Sequence, residues 1–221
     1  MSERMTCRPE AEPGELSVGM RFSLHPHCDD FVAVILDALE DAREMAAAAD
    51  LVVESDEVSS YVAASSIPAE EQLVRYLAAV VTAAFRRSNH GHVVAQVLLS
   101  RGCPGEVSCD LAVTSLPQVQ PVHVPATGVE CIAQWSLYPL LDGGSPAGDH
   151  MAHIEAAIES ARRRGVASAP AHYATRLTGD VADVLATVAD AWAAVGATVA
   201  HVVSHLTLSV GSPSVETQDV R

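Results

Sequence analysis

The chain has 221 residues, enough for one or two ordinary domains, and 49% of them are hydrophobic, enough for a sizeable core. Thirteen basic residues against 28 acidic ones leave a net charge of −15. That balance argues against a nucleic-acid binder, which needs a basic face, and against docking on anionic membrane. Every basic residue is Arg, which removes Schiff-base and P-loop lysine chemistry, and no Gly-x-Gly-x-x-Gly dinucleotide fingerprint is present.

In chain order, residues 1–15 are polar and rich in Pro and Glu, with no apolar core of a secretory signal. Residues 19–25 are apolar and aromatic and predict a first strand. Phe31, Val34, Ile35, Ala38, Leu39 and Ala42 then recur at helical spacing and predict one apolar stripe. The preceding Asp29-Asp30 pair supplies a carboxylate for the helix N-cap or for a ligand at that polar end. Residues 51–54 and 58–64 read as two short strands, and about 69–86 as a second helix with Glu70 and Glu71 at its start. Residues 92–101 are strongly β-branched and read as the last strand of this unit.

A Pro-rich linker over 104–128 follows, with short extended pieces expected at 111–114 and 120–124. The same series then begins again. Residues 132–138 predict a strand and Met151, Ile154, Ile158 and Ala161 mark a helix stripe stopped at Gly165. Residues 166–169 and 172–177 predict strands, and Asp180 caps a helix carrying Val181, Val184, Leu185, Val188, Trp192 and Val195. Residues 198–210 close the series as a strand.

This is an internal repeat. Phe22-Ser23-Leu24-His25-Pro26 returns as Trp135-Ser136-Leu137-Tyr138-Pro139, and Ser100-Arg101-Gly102-Cys103-Pro104 as Ser209-Val210-Gly211-Ser212-Pro213. The expectation is an α+β protein of two ferredoxin-like β-α-β-β-α-β units with antiparallel sheets, spanning 18–103 and 129–212. Such units carry helices on one sheet face, so the uncovered faces are expected to pack on each other, within or between chains.

Ten histidines invite a metal reading, but no spacing matches a zinc site, and neither metal nor cofactor is expected. Five cysteines, an odd number without a Cys-x-x-Cys pair, indicate no disulfide framework. With no apolar run approaching the ~20 residues of a membrane span, a cytoplasmic protein without membrane insertion is expected. Cys103 stands where the second unit has Ser212, which suits a small polar binding position better than an attacking thiolate. Ser59, Ser60 and Thr175 fall on the third strand of each unit. They form either an outward polar row or the wall of a pocket between sheet and helices.

The doubled Phe/Trp-Ser-Leu-x-Pro, together with Gly102-Cys103-Pro104-Gly105 and His172-Tyr173-Ala174, resembles the YkoF family of thiamine/hydroxymethylpyrimidine-binding proteins. The resemblance implies tandem ferredoxin-like (ACT-like) repeats, a homodimer, and non-catalytic binding of thiamine or hydroxymethylpyrimidine, one pocket per repeat, in salvage or transport. Ser59, Ser60 and Thr175 are the leading pocket candidates, followed by Ser23, Ser136 and Tyr138. His25, Asp30, Cys103, Asp149 and Tyr173 complete the candidate set. Two departures bear on specificity: His25 stands where the motif has Tyr, and residues 142–148 are an insertion in the second copy. Competing readings are a regulatory ACT-like sensor of a small metabolite and a pyrimidine-acting hydrolase or deaminase built on Cys103 or a histidine-bound metal.

Overall fold

The computed structural model describes residues 17–64, 67–102, 119–140 and 149–214. The first unit runs β1 (Ser17–Pro26), α1 (Phe31–Asp41), α2 (Arg43–Ala48), β2 (Leu51–Ser55), β3 (Ser60–Ala64), α3 (Ala69–Arg87) and β4 (Val93–Gly102). The second runs β5 (Glu130–Pro139), α4 (His150–Arg163), β6 (Ala167–Ala171), β7 (Ala174–Asp180), α5 (Val181–Gly196) and β8 (Val202–Val210). Each is the expected β-α-β-β-α-β series. In the first unit the helix splits, α2 following α1 directly.

The two units do not pack face to face. Their last strands pair edge to edge, antiparallel, giving one eight-stranded sheet in the order β2-β3-β1-β4-β8-β5-β7-β6. The edges of β4 and β8 are thereby consumed in a mutual ladder, which removes two exposed edges at once. The glycines of the repeated Ser-x-Gly motif make this possible. Gly102 has φ +113°, and a Cβ there would sit 2.6 Å from the Ala200 carbonyl oxygen, just before β8. Gly211 has φ +63°, and its Cβ would sit 2.8 Å from Phe85 Cε2 and 3.0 Å from the Gly91 carbonyl oxygen, just before β4. Each unit's glycine therefore lets the other unit's entering chain pass closely.

The helices α3 and α5 lie on one sheet face and carry most of the core. Leu73, Leu77, Val80 and Val81 of α3 and Val184, Leu185, Val188 and Trp192 of α5 are fully buried. The Trp192 indole N–H is satisfied by the Val202 carbonyl at 3.0 Å. The stripe of the first helix is as expected but for its first residue: Val34, Ala38 and Ala42 are buried and Ile35 and Leu39 pack against the core, whereas Phe31 is 50% exposed. It sits in the first turn, ahead of the part of the helix that meets the sheet.

In the linker, residues 120–124 join no sheet. Their N–H groups go to helix carboxylates instead: Val122 N–H donates to Asp190 at 2.6 Å and His123 N–H to Glu71 at 3.0 Å. With these donors satisfied, no ladder partner is required. The other expected piece, 111–114, lies outside the described residues.

Asp180 closes the linker. It caps α5, accepting from Ala182 N–H at 2.7 Å, and also accepts from the N–H and hydroxyl of Thr127 and from Gly128 N–H. Burial works to raise its pKa, but these hydrogen bonds outweigh it and hold the carboxylate below its ordinary value. A depressed folded-state pKa gives stability that is present above the unfolded value and lost as pH falls through the folded one. Asp180→Ala is therefore expected to cost about 1–3 kcal/mol at pH 7, by stranding N–H donors. That loss should shrink below pH 4, as chemical denaturation at both pH values would show.

Candidate functional site

One row of side chains crosses the helix-facing side of the sheet: Ser55, Ser60, Phe22, Val97, Leu206, Trp135, Thr175 and Pro170, each opposite the next in the strand register. The approximate two-fold relating the repeats passes between Val97 and Leu206. It places Phe22 on Trp135, Ser60 on Thr175 and Ser55 on Pro170. Each repeat thus sets the aromatic ring of its Phe/Trp-Ser-Leu-x-Pro motif beside a hydroxyl, between sheet and helices. This settles the orientation of Ser60 and Thr175: they face the helices and are buried, 7% and 9% exposed.

The two places differ in chemistry. In the first repeat Ser60 Oγ lies 2.8 Å from Ser55 Oγ, and Tyr76 of α3 stands edge-on to Phe22 at 6.3 Å between centroids. Tyr76 is buried and desolvation raises its pKa, so it stays a neutral phenol. In the second repeat Pro170 offers no hydroxyl beside Thr175, and the Trp135 indole N–H already donates to Ser204 Oγ at 2.8 Å. The first place is the richer in hydroxyls; the second has the larger ring.

The other candidates do not converge there. Ser59 precedes β3 instead of lying on it. Its hydroxyl accepts from Arg21 at 2.8 Å inside a turn organised by Asp56, whose carboxyl is held down to about 2 by the N–H groups of Ser59 and Val58 and by Arg21. Ser23 and His25 lie on the opposite sheet face, Oγ to Nε2 at 3.0 Å. Ser136 is on that face too, donating to the Tyr173 carbonyl at 2.9 Å, and Tyr138 beside it is 47% exposed. Tyr173 is fully exposed, at φ +63° in the β6–β7 turn. Asp149 caps α4 by accepting from Met151 N–H at 2.9 Å. Asp30 holds the equivalent position before α1 but makes no side-chain cap bond; its carboxylate engages the Cys28 thiol instead. Cys103 and the 142–148 insertion lie outside the described residues.

In the sequence Phe22 and Trp135 stand out as residues of the repeated motif, but not as candidate site residues. Their recurrence at one motif position was the available signal for a site. Ser55 and Tyr76 had none, because their place depends on the register of β2 and the rotation of α3. Among the described residues no group of three His, Cys, Asp or Glu side chains could hold a metal ion. Cys131 is buried, which with the nearby carboxylates of Glu130 and Asp180 pushes its thiol up to about 12, so it is not poised as a nucleophile.

The model of the YKOF-related Family matches the chain twice, over residues 17–106 and 130–215. The chain belongs to the YKOF-related family. The two matches cover the two structural repeats. The chain is also similar to the "Putative HMP/thiamine-binding protein YkoF" of Bacillus subtilis (strain 168), with 27% identity over 197 residues, 89% of this chain and 91% of that protein. No helix among the described residues of this YKOF-related chain is long and apolar enough to cross a membrane.

Proposed function

We propose that this protein binds thiamine or its hydroxymethylpyrimidine part without catalysis, one ligand per repeat, and serves thiamine salvage or transport as a cytoplasmic homodimer. The observation that carries the reading is the symmetric pairing of an aromatic ring with a hydroxyl, Phe22 with Ser60 and Trp135 with Thr175. An aminopyrimidine is flat, with an exocyclic amine donor and two ring acceptors. It is recognised by an apolar slot with a few convergent polar groups and needs no charged or metal centre. Ser60 and Thr175 each keep a small accessible area. The name of the Bacillus subtilis relative supports the ligand class.

Thermal unfolding with thiamine, hydroxymethylpyrimidine or free amino acids tests this. Thiamine at 100 times its dissociation constant stabilises by about 2.7 kcal/mol when it binds only the folded state. For a chain of this length that is a rise in Tm of roughly 5–10 °C. A rise with an amino acid alone would favour a metabolite sensor instead. Recovery of chemically altered thiamine would contradict a non-catalytic role.

A further inference from the structure

We propose that a groove on the outside of the first repeat, between α2, α3 and the linker, binds a small organic anion: a carboxylate carried on a short apolar body. By helical spacing the groove lies on the opposite side of α3 from its core residues Leu77 and Val81. It is therefore separate from the aromatic–hydroxyl pairs, and its ligand is opposite in charge to the thiazolium of thiamine.

The groove exists because the two repeats differ at one seam. Asp30 and Asp149 hold equivalent positions before α1 and α4. In that register Ala38 falls on Ala157, Ala42 on Ala161, both pairs buried, and Met45 on Arg164. On the second helix of each repeat Leu77 falls on Leu185, Val80 on Val188 and Ala84 on Trp192, all fully buried. The same register places Thr82 on Asp190. In the second repeat this seam is closed by an ion pair: the Asp190 carboxylate accepts from Val122 N–H at 2.6 Å and holds the Arg164 guanidinium. One carboxylate thus ties the linker, α5 and the end of α4. The first repeat has neither member of that pair. Met45 is 40% exposed, and Thr82, only 5% exposed, makes no hydrogen bond through its hydroxyl among the described residues. A buried hydroxyl without a partner is destabilising, and a turn about χ1 presents it to an incoming acceptor.

What remains at the seam is an open groove of about 400 Å³, within the range of small-molecule sites. Ala79 and Ala83 lie along it, with Met45 on one side and Pro125 of the linker on the other. Arg75, Arg86 and Arg87 line it against a single carboxylate, Asp41. Arg87 is occupied by Asp41 and Asp37, and Arg75 by Glu71 at 3.3 Å. Arg86 is different. Among the described residues no carboxylate pairs with it, and it reaches only the Thr127 carbonyl at 3.4 Å. On a chain of net charge −15, an arginine left without a carboxylate beside a buried, unbonded hydroxyl marks a place for an anion. A ligand carboxylate between Arg86 and Thr82 stands where the second repeat has its own Asp190. The apolar body then lies along Ala79, Ala83 and Met45.

Calorimetric titration with octanoate, octylamine and octanol, which share a chain and differ in head group, tests this. Octanoate is expected to fill one saturable site per chain. The amine and the alcohol should bind at least about tenfold more weakly, the effect of losing one hydrogen bond to a charged group. Arg86→Gln should weaken octanoate by a similar factor. Thr82→Asp, which gives the first repeat the carboxylate of the second, should exclude octanoate while circular dichroism shows the fold retained. Saturating thiamine should leave the octanoate affinity unchanged. Octanol binding as tightly as octanoate overturns the recognition of an anion. Wild-type octanoate affinity in folded Arg86→Gln and Thr82→Asp, or competition by thiamine, overturns this groove. No saturable binding at millimolar octanoate overturns the site itself and leaves the thiamine reading untouched.

Discussion

Arg101→Met is expected to lower folding stability by about 3–5 kcal/mol, which for a chain of this length is a drop in Tm of roughly 6–20 °C. Arg101 is 4% exposed, at the end of β4 under the first turn of α3, and its guanidinium holds Glu70 at 2.5 Å. Gly196 at the end of α5 gives the side chain its room, since a Cβ there would lie 2.7 Å from Arg101 Cδ. The arginine thus joins β4, α3 and α5. The cost of its removal is the charge left behind: Glu70 is only 15% exposed in its side chain and would have no cation. Arg101 Nε makes no hydrogen bond, so the pair is not optimal as it stands. Replacing both residues, as Arg101→Met with Glu70→Leu, is therefore expected to recover most of the loss. Urea denaturation of the single and double variants checks this, and a double variant as unstable as the single would refute it.

Trp135→Ala is expected to cost a similar amount, about 3–5 kcal/mol, through the cavity left by a ring only 2% exposed. The Ser204 hydroxyl, fully buried, would also lose its indole donor. Trp135→Phe isolates that second effect and should cost about 1–3 kcal/mol. In ligand binding both changes should fall on the second repeat only. Phe22 lies two strands across the repeat boundary, beyond Val97 and Leu206, and Ser60 on its far side is untouched. Chemical denaturation gives the stabilities, and titration with thiamine gives the binding.

The local elements were legible because their periods are clean. The α3 and α5 stripes and the alternation along β1 and β5 follow directly from burial of one face. Asp180 could be read as a cap from its place before an apolar run. Joining the two sheets through β4 and β8 was not legible. Edge pairing uses backbone groups that every residue carries, and side-chain alternation does not reveal which strand lies alongside. The heavy β-branching of both last strands was nevertheless a sign of central positions. The same limit applies to the candidate site. Ser60 and Thr175 could be named, but only the register showed them facing the helices beside Phe22 and Trp135. Ser23, His25, Ser136 and Tyr138 belong to the same motifs and alternate to the opposite face, so motif membership alone could not separate a pocket wall from an open surface.

Calorimetric titration of thiamine into the wild type, Ser60→Ala and Thr175→Val tests the central claim most directly. A hydroxyl bonded to the pyrimidine contributes about 0.5–1.5 kcal/mol, so each substitution should weaken one site roughly three- to tenfold. The other site should be unchanged, because four strands of the sheet lie between the two hydroxyls. Wild-type isotherms for both variants would contradict the account and place the ligand away from the aromatic–hydroxyl pairs.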